Sequence, residues 1–173
     1  MSILPIRLYP DPVLRAHCRE VEEFDAELVR LVADMVETMH AAPGIGLAAP
    51  QVGIDRRIAV VDLSVGESAD ALLVLINPQI VEKEGSAIDV EGCLSLPGIT
   101  EKVERPTRIV VEAAHANGDL YSVEAEDWMA RAICHELDHL DGVLFTDRLS
   151  GLKKDKAKRA LRRLVEEQQG VLV

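Results

Sequence analysis

Two histidines four residues apart, with a glutamate directly after the first, put a pair of metal ligands and a base into His135-Glu136-Leu137-Asp138-His139. On a helix, positions i and i+4 stand on one face a turn apart, so both imidazoles can close on a single ion. Glu136 is then not a ligand; it stands beside the ion, where a carboxylate can take a proton from an attacking water. A match this short also arises by chance in a helix that happens to carry histidines and acids. The chemistry therefore needs two more groups from elsewhere: a third ligand and a donor for a developing oxyanion.

Catalytic metal sites commonly combine three protein ligands with one open position. Cys93 is the candidate, in Glu91-Gly92-Cys93-Leu94-Ser95, after a strand-like run and before Pro97-Gly98. Gly92 lets the backbone approach closely there, so the cysteine can present its sulfur to a neighbouring helix. The alternative is a small buried hydrophobe, the usual fate of a lone cysteine. Gly44-Ile45-Gly46-Leu47-Ala48-Ala49-Pro50-Gln51 packs backbone tightly and leaves one polar side chain, Gln51, whose amide can donate to an oxyanion. Read alone, that segment is better explained as a small-residue turn with Gln51 at the surface.

These residues need a frame. The spacing of Leu28, Leu31, Val32, Met35 and Met39 predicts a first helix from an Asp25 cap to about Ala41. Ala42-Pro43-Gly44 ends it, since proline disfavours helix in the residue before it and glycine permits the turn. Residues 57–63 and 72–76 read as short apolar strands. Residues 108–113 and 120–125 read as a hairpin closed through Ala116-Asn117-Gly118-Asp119. A second helix is expected from about Asp127 to Leu140, apolar on several sides through Met129, Ala130, Ala132, Ile133, Cys134, Leu137 and Leu140, and so buried. Histidines and acids on such a helix are costly unless paired or metal-bound, which strengthens the metal reading. A third helix over about 152–169 would turn Ala157, Ala160, Leu161, Leu164 and Val165 inward. Helices at both ends with strands between predict an α+β domain.

The 173 residues fit one domain, 1–173, with a substantial core. Aromatics are 3%, so that core must be built from Leu, Ile, Val and Ala. No apolar run reaches the ~18 residues of a membrane span. The first residues lack the charged start, long apolar centre and cleavage site of a signal peptide, so cytoplasm is expected. Cys18, Cys93 and Cys134 are too few, and odd in number, for a disulfide framework; a reducing compartment would keep a thiolate available. A net charge of −11 argues against general nucleic-acid or specific DNA binding. Between Leu152 and Arg163, however, seven basic residues stand against Asp155 alone, a local charge of about +6.

In order and spacing, GIGLAAPQ (Gly44 to Gln51), EGCLS (Glu91 to Ser95) and HELDH (His135 to His139) resemble the three signature motifs of peptide deformylases. The likeness extends to Tyr9-Pro10-Asp11-Pro12-Val13-Leu14-Arg15 and to Leu140-Asp141-Gly142-Val143-Leu144-Phe145. The resemblance implies hydrolysis of the formyl group from N-formylmethionine at the start of new bacterial chains, releasing formate. It implies one divalent ion, ferrous iron physiologically with zinc or nickel also accepted, held by Cys93, His135 and His139. Glu136 would be the base, and the Gln51 amide with the backbone N–H of Leu94 would meet the oxyanion. The peptide would add as a strand beside Ile45 and Gly46, and its methionine would enter a pocket walled by Leu94 and Ile133, with Glu91 and Gly92 also at the substrate. The basic C-terminal helix resembles the segment by which bacterial members contact the ribosome. The fold implied is antiparallel β-sheets packed around a central metal-binding helix, with an N-terminal and a C-terminal helix.

Two positions depart from the pattern. Cys134 stands where members often have glutamine; lying about 100° around the helix from His135, it should face the core. Pro97-Gly98-Ile99-Thr100 lacks the arginine that many members use there to hold the peptide. An ordinary HExxH zinc endopeptidase would need a downstream His or Glu ligand, and Asp141 and Asp147 lack that context. An inactive metal-binding paralogue would have no use for Glu136 and Gln51. His17, His40 and His115 are read as surface or packing residues.

Overall fold

The computed structural model describes residues 2–170. Helix α1 spans Ala26–Ala41 and opens where the Asp25 carboxylate accepts the Leu28 N–H at 2.9 Å, relieving one of the free donors of its first turn. Strands β1 (Gly46–Ala48), β2 (Ile58–Val61) and β3 (Leu73–Glu84) follow, then β4 (Ala87–Gly92) with β5 (Thr100–Arg105), and β6 (Arg108–Ala114) with β7 (Leu120–Glu126). They make two antiparallel sheets, one ordered β1-β2-β3-β6-β7 and one of β4 and β5 alone.

β2 shows how the core is divided. All four of its residues are buried, and the strand period of two sends them to opposite sides. Ile58 and Val60 pack with Leu28, Val32, Met35 and Met39 of α1. Ala59 and Val61 pack with Ala130, Ile133, Cys134 and Leu137 of helix α2 (Asp127–Leu140). Helix α2 is buried without interruption from Ala130 to Leu140, as a helix apolar on several sides requires. Helix α3 (Gly151–Gly170) lays Ala157, Leu161 and Leu164 on a third cluster with Leu14, Leu96, Leu149 and Phe145. The molecule is α+β, with antiparallel sheets around α2.

Two elements differ from expectation. β3 runs far beyond residue 76, through Pro78, with register shifts after Ile76 and after Ile80. Proline is tolerated at such bulges, and the exposed Val81-Glu82-Lys83-Glu84 stretch is held by backbone pairing with β6, which leaves no apolar signature. The β4–β5 hairpin was legible only as a strand-like run before Cys93. Ahead of the strands, the N-terminal segment acts as a strap. The N–H groups of Arg7, Tyr9 and Cys18 donate to the carbonyls of Gln51, Ser95 and Leu140 at 2.7, 2.9 and 2.8 Å, one bond to each motif-bearing region.

Candidate metal centre and active site

His135 and His139 share one face of α2, with ring centroids 5.1 Å apart. Cys93 follows the last residue of β4 and brings its Sγ to 3.3 Å from His139 Nε2. The donor atoms of Cys93, His135 and His139 all lie within 4.8 Å of one another, the one such three-donor cluster among the described residues. Asp141 and Asp147 are engaged elsewhere, with Arg57 and Arg15.

A buried charge network orients the histidine. His135 Nδ1–H donates to Glu91 Oε2 at 2.9 Å, which leaves Nε2 as the free ligand atom. The same carboxylate accepts from Arg105 Nε and Nη2 at 2.8 and 2.9 Å and from Arg131 Nη1 at 2.8 Å. Arg105 then reaches Asp138 at 2.6 Å, which Arg148 also holds. Burial works to raise the pKa of Glu91, but hydrogen bonds from Arg105 and His135 pull it down to about 2, so it stays ionised. His135 is shifted upward: burial opposes its charge, and Cys93 and Glu91 prevail. His139 is pushed well below its ordinary value by burial and by the neighbouring His135.

Gln51 is 1% exposed, contrary to the surface reading. Its Oε1 accepts the Ala48 N–H at 2.9 Å, so Nε2 must point the other way, to Cys93 Sγ at 3.5 Å and Ser95 Oγ at 3.3 Å. Glu136 lies against Gly46, where an added Cβ would fall 2.3 Å from Oε1. Its Oε2 is buried without a protein partner. Burial, partly offset by His135, pushes the Glu136 carboxyl up to about 7. A buried polar atom left unpaired normally costs stability, so such an atom at a cavity floor needs a chemical explanation.

That cavity, about 390 Å³, has Gln51, Cys93, His135 and Glu136 at its base, and Ile45, Gly46, Gly92 and Leu94 also line it. Ile133 does not. It is fully buried between α2 and the sheet, and Trp128, Arg131 and Ala132 form that wall instead. One residue is about 100° of helix, so Ala132, His135 and Glu136 share the cavity side while Ile133 is turned to the core. Glu91 borders the cavity, and its carboxylate is taken up by Arg105, Arg131 and His135. Cys134 packs in the core, where burial raises its thiol pKa. The sequence reading missed Arg105, Arg131 and Asp138. The signal for two of them was position: Arg131 lies one turn before His135 on a helix buried from Ala130 to Leu140, and Arg105 falls two residues after buried Val103, on the same face of β5.

A model of the polypeptide deformylase family matches residues 3–155. A peptide deformylase of Acidobacterium capsulatum is 50% identical over 164 residues, 95% of this chain and 96% of that one. Among solved structures, the peptide deformylase of Legionella pneumophila aligns with a TM-score of 0.89 at 38% identity, covering 97% of this chain and 98% of that one. That of Thermus thermophilus aligns at 0.87 with 45% identity, covering 95% and 99%.

Proposed function

Since the chain belongs to the polypeptide deformylase family and removes the N-formyl group from new polypeptides, we propose that it acts on N-formylmethionyl chains at the Cys93–His135–His139 centre, with Glu136 as proton carrier. The observation that carries this reading is the unpartnered Glu136 Oε2 beside a three-donor cluster at the floor of an apolar-walled cavity.

The residues fit a divalent ion. A thiolate and two imidazoles, His135 giving up its Nε2 proton to an ion, would suit iron, zinc and nickel alike, and the donors converge beside buried His139. Ferrous iron is the physiological occupant proposed, on the family resemblance. When bound, such an ion acts as a Lewis acid and makes water more acidic. The protein supplies the rest. Glu136 takes the proton of the attacking water and delivers it to the amine nitrogen as the C–N bond breaks, leaving formate and a free amino terminus. A carboxyl with a pKa near 7 suits both halves of that transfer at neutral pH. Gln51 Nε2, aimed by its bond from Ala48, and the Leu94 N–H donate to the oxyanion. β1 is the edge of its sheet, so an extended peptide adds beside Ile45 and Gly46 and sends its methionine between Val90, Leu94 and Trp128.

Residues 1–173 act as one catalytic domain in the cytoplasm, with the basic face of α3 toward the ribosome. Among the described residues no helix is long and apolar enough to cross a membrane. The decisive experiment assays Glu136→Ala on formyl-Met-Ala-Ser with metal content measured alongside. Metal should be retained while deformylation falls by about 10²- to 10⁴-fold. Substantial activity in that variant refutes the role of Glu136. Cys93→Ser should instead lose the metal.

A further inference from the structure

The two metal-bearing parts of the site sit on separate bodies. His135 and His139 are on α2, inside the main core, while Cys93 directly follows β4, a strand of a two-stranded sheet that shares no strand pairing with the five-stranded one. Something other than a β-ladder must hold that hairpin against the helix.

We infer that Arg131 is a positioning residue for the metal centre, a clamp that fixes the β4–β5 hairpin, and with it Cys93, at ligand distance from His135 and His139. This rests on the metal reading proposed above. Arg131 is 5% exposed and projects from α2 one turn before His135. Its Nη1 donates to the Val103 carbonyl on β5 at 2.9 Å and to Glu91 Oε1 at 2.8 Å, and its Nη2 donates to the Ala87 carbonyl on β4 at 2.8 Å. One rigid guanidinium thus touches both strands of the hairpin and the carboxylate that orients His135. Cys93 is two residues beyond Glu91, so displacement of this end of β4 moves the sulfur directly. Trp128, 48% exposed at the cavity mouth, covers the guanidinium at 5.9 Å. Arg105, the last residue of β5, also ties the hairpin to α2 through Asp138, but by side chains alone; Arg131 reaches from α2 to the backbone of both hairpin strands. A lysine keeps the charge but offers one nitrogen in place of the two that divide these three acceptors in a fixed fork.

The test replaces the resident metal with Co²⁺ and records the thiolate-to-cobalt charge-transfer band together with cobalt affinity by chelator competition. Arg131→Met and Arg131→Lys are compared with the wild type and with Arg57→Met, which removes an arginine from the other end of α2, where it joins Leu140 and Asp141. Folding is checked by circular dichroism. Both Arg131 variants should remain folded, weaken or shift the band and bind cobalt about 10- to 100-fold less tightly, while Arg57→Met keeps the wild-type spectrum. If the wild type shows no thiolate band, the metal reading itself fails. If the wild type shows the band and a folded Arg131 variant shows it unchanged at equal affinity, the clamp is overturned. Should Arg131→Met not fold, Arg131→Lys decides by the same two measurements.

Discussion

A methyl group on Gly46 would stand 2.3 Å from Glu136 Oε1, closer than any Cβ contact survives. Cδ and Cγ of Glu136 would also lie at 2.8 and 2.9 Å, so the obstacle is the side chain and not backbone, and the whole carboxylate arm must be pushed aside. Gly46→Ala is therefore expected to fold, keep its metal and lose about 100-fold in kcat, the cost of moving the proposed proton carrier by about 1 Å. Metal content and the melting curve, read with steady-state kinetics, check this; wild-type kcat would show that Glu136 has room to spare. At this scale the sequence pointed to Cys93, His135 and His139, which the fold brings together, and to Glu136 beside them, because each sat in a short recognisable pattern. It concealed the charges that hold them. Arg105, Arg131 and Asp138 carry formal charges that ordinarily mark a surface, and only their convergence on Glu91 and on one another makes burial tolerable.

The join between α1 and β2 depends on Asp62, which lies just beyond β2 and is 1% exposed. It accepts from Ser64 N and Oγ at 2.8 and 2.6 Å, from Gly66 N at 2.9 Å and from His40 Nε2, on the last turn of α1, at 2.8 Å. Burial works to raise its pKa, but the Ser64, His40 and Gly66 hydrogen bonds prevail and lower it. A carboxyl whose folded pKa lies below its unfolded value of ~3.9 stabilises the fold above that pH, and the contribution disappears as pH falls through the folded value. Asp62→Asn should lose about 1–2 kcal/mol at pH 7 and show a shallower decline in urea midpoint below about pH 4. Identical acid limbs in the two proteins would remove Asp62 from the account. His40, read from sequence as an ordinary residue, is therefore a tie between elements. The helices were legible because burial on one face writes a period near 3.6. The far half of β3 and the β4–β5 hairpin were not, because pairing partners hold them and much of their surface faces water.

At the scale of the whole chain, α3 has two faces with separate duties. Ala157, Leu161 and Leu164 pack on a cluster that contains Phe145, and Phe145 stacks on the His135 ring at 6.0 Å. Deleting the helix would therefore disturb the proposed metal centre as well as any docking surface. The opposite face carries Lys153, Lys154, Lys156, Lys158, Arg159, Arg162 and Arg163, all exposed, on a protein whose net charge is −11. An acidic body with one basic face can approach a polyphosphate in only one orientation. Lys156 is paired with Glu101, so the informative substitutions are Lys153, Lys158, Arg159 and Arg162 to Ser, which leave the apolar stripe intact. Hydrolysis of formyl-Met-Ala-Ser should be unchanged. Co-sedimentation with ribosomes should weaken, and the slope of log affinity against log salt should become shallower by about three to four, since each of the four lost phosphate contacts releases roughly 0.7 to 0.9 counterion fewer. Ribosome binding equal to wild type, with the same salt slope, would leave this face as solvated surface.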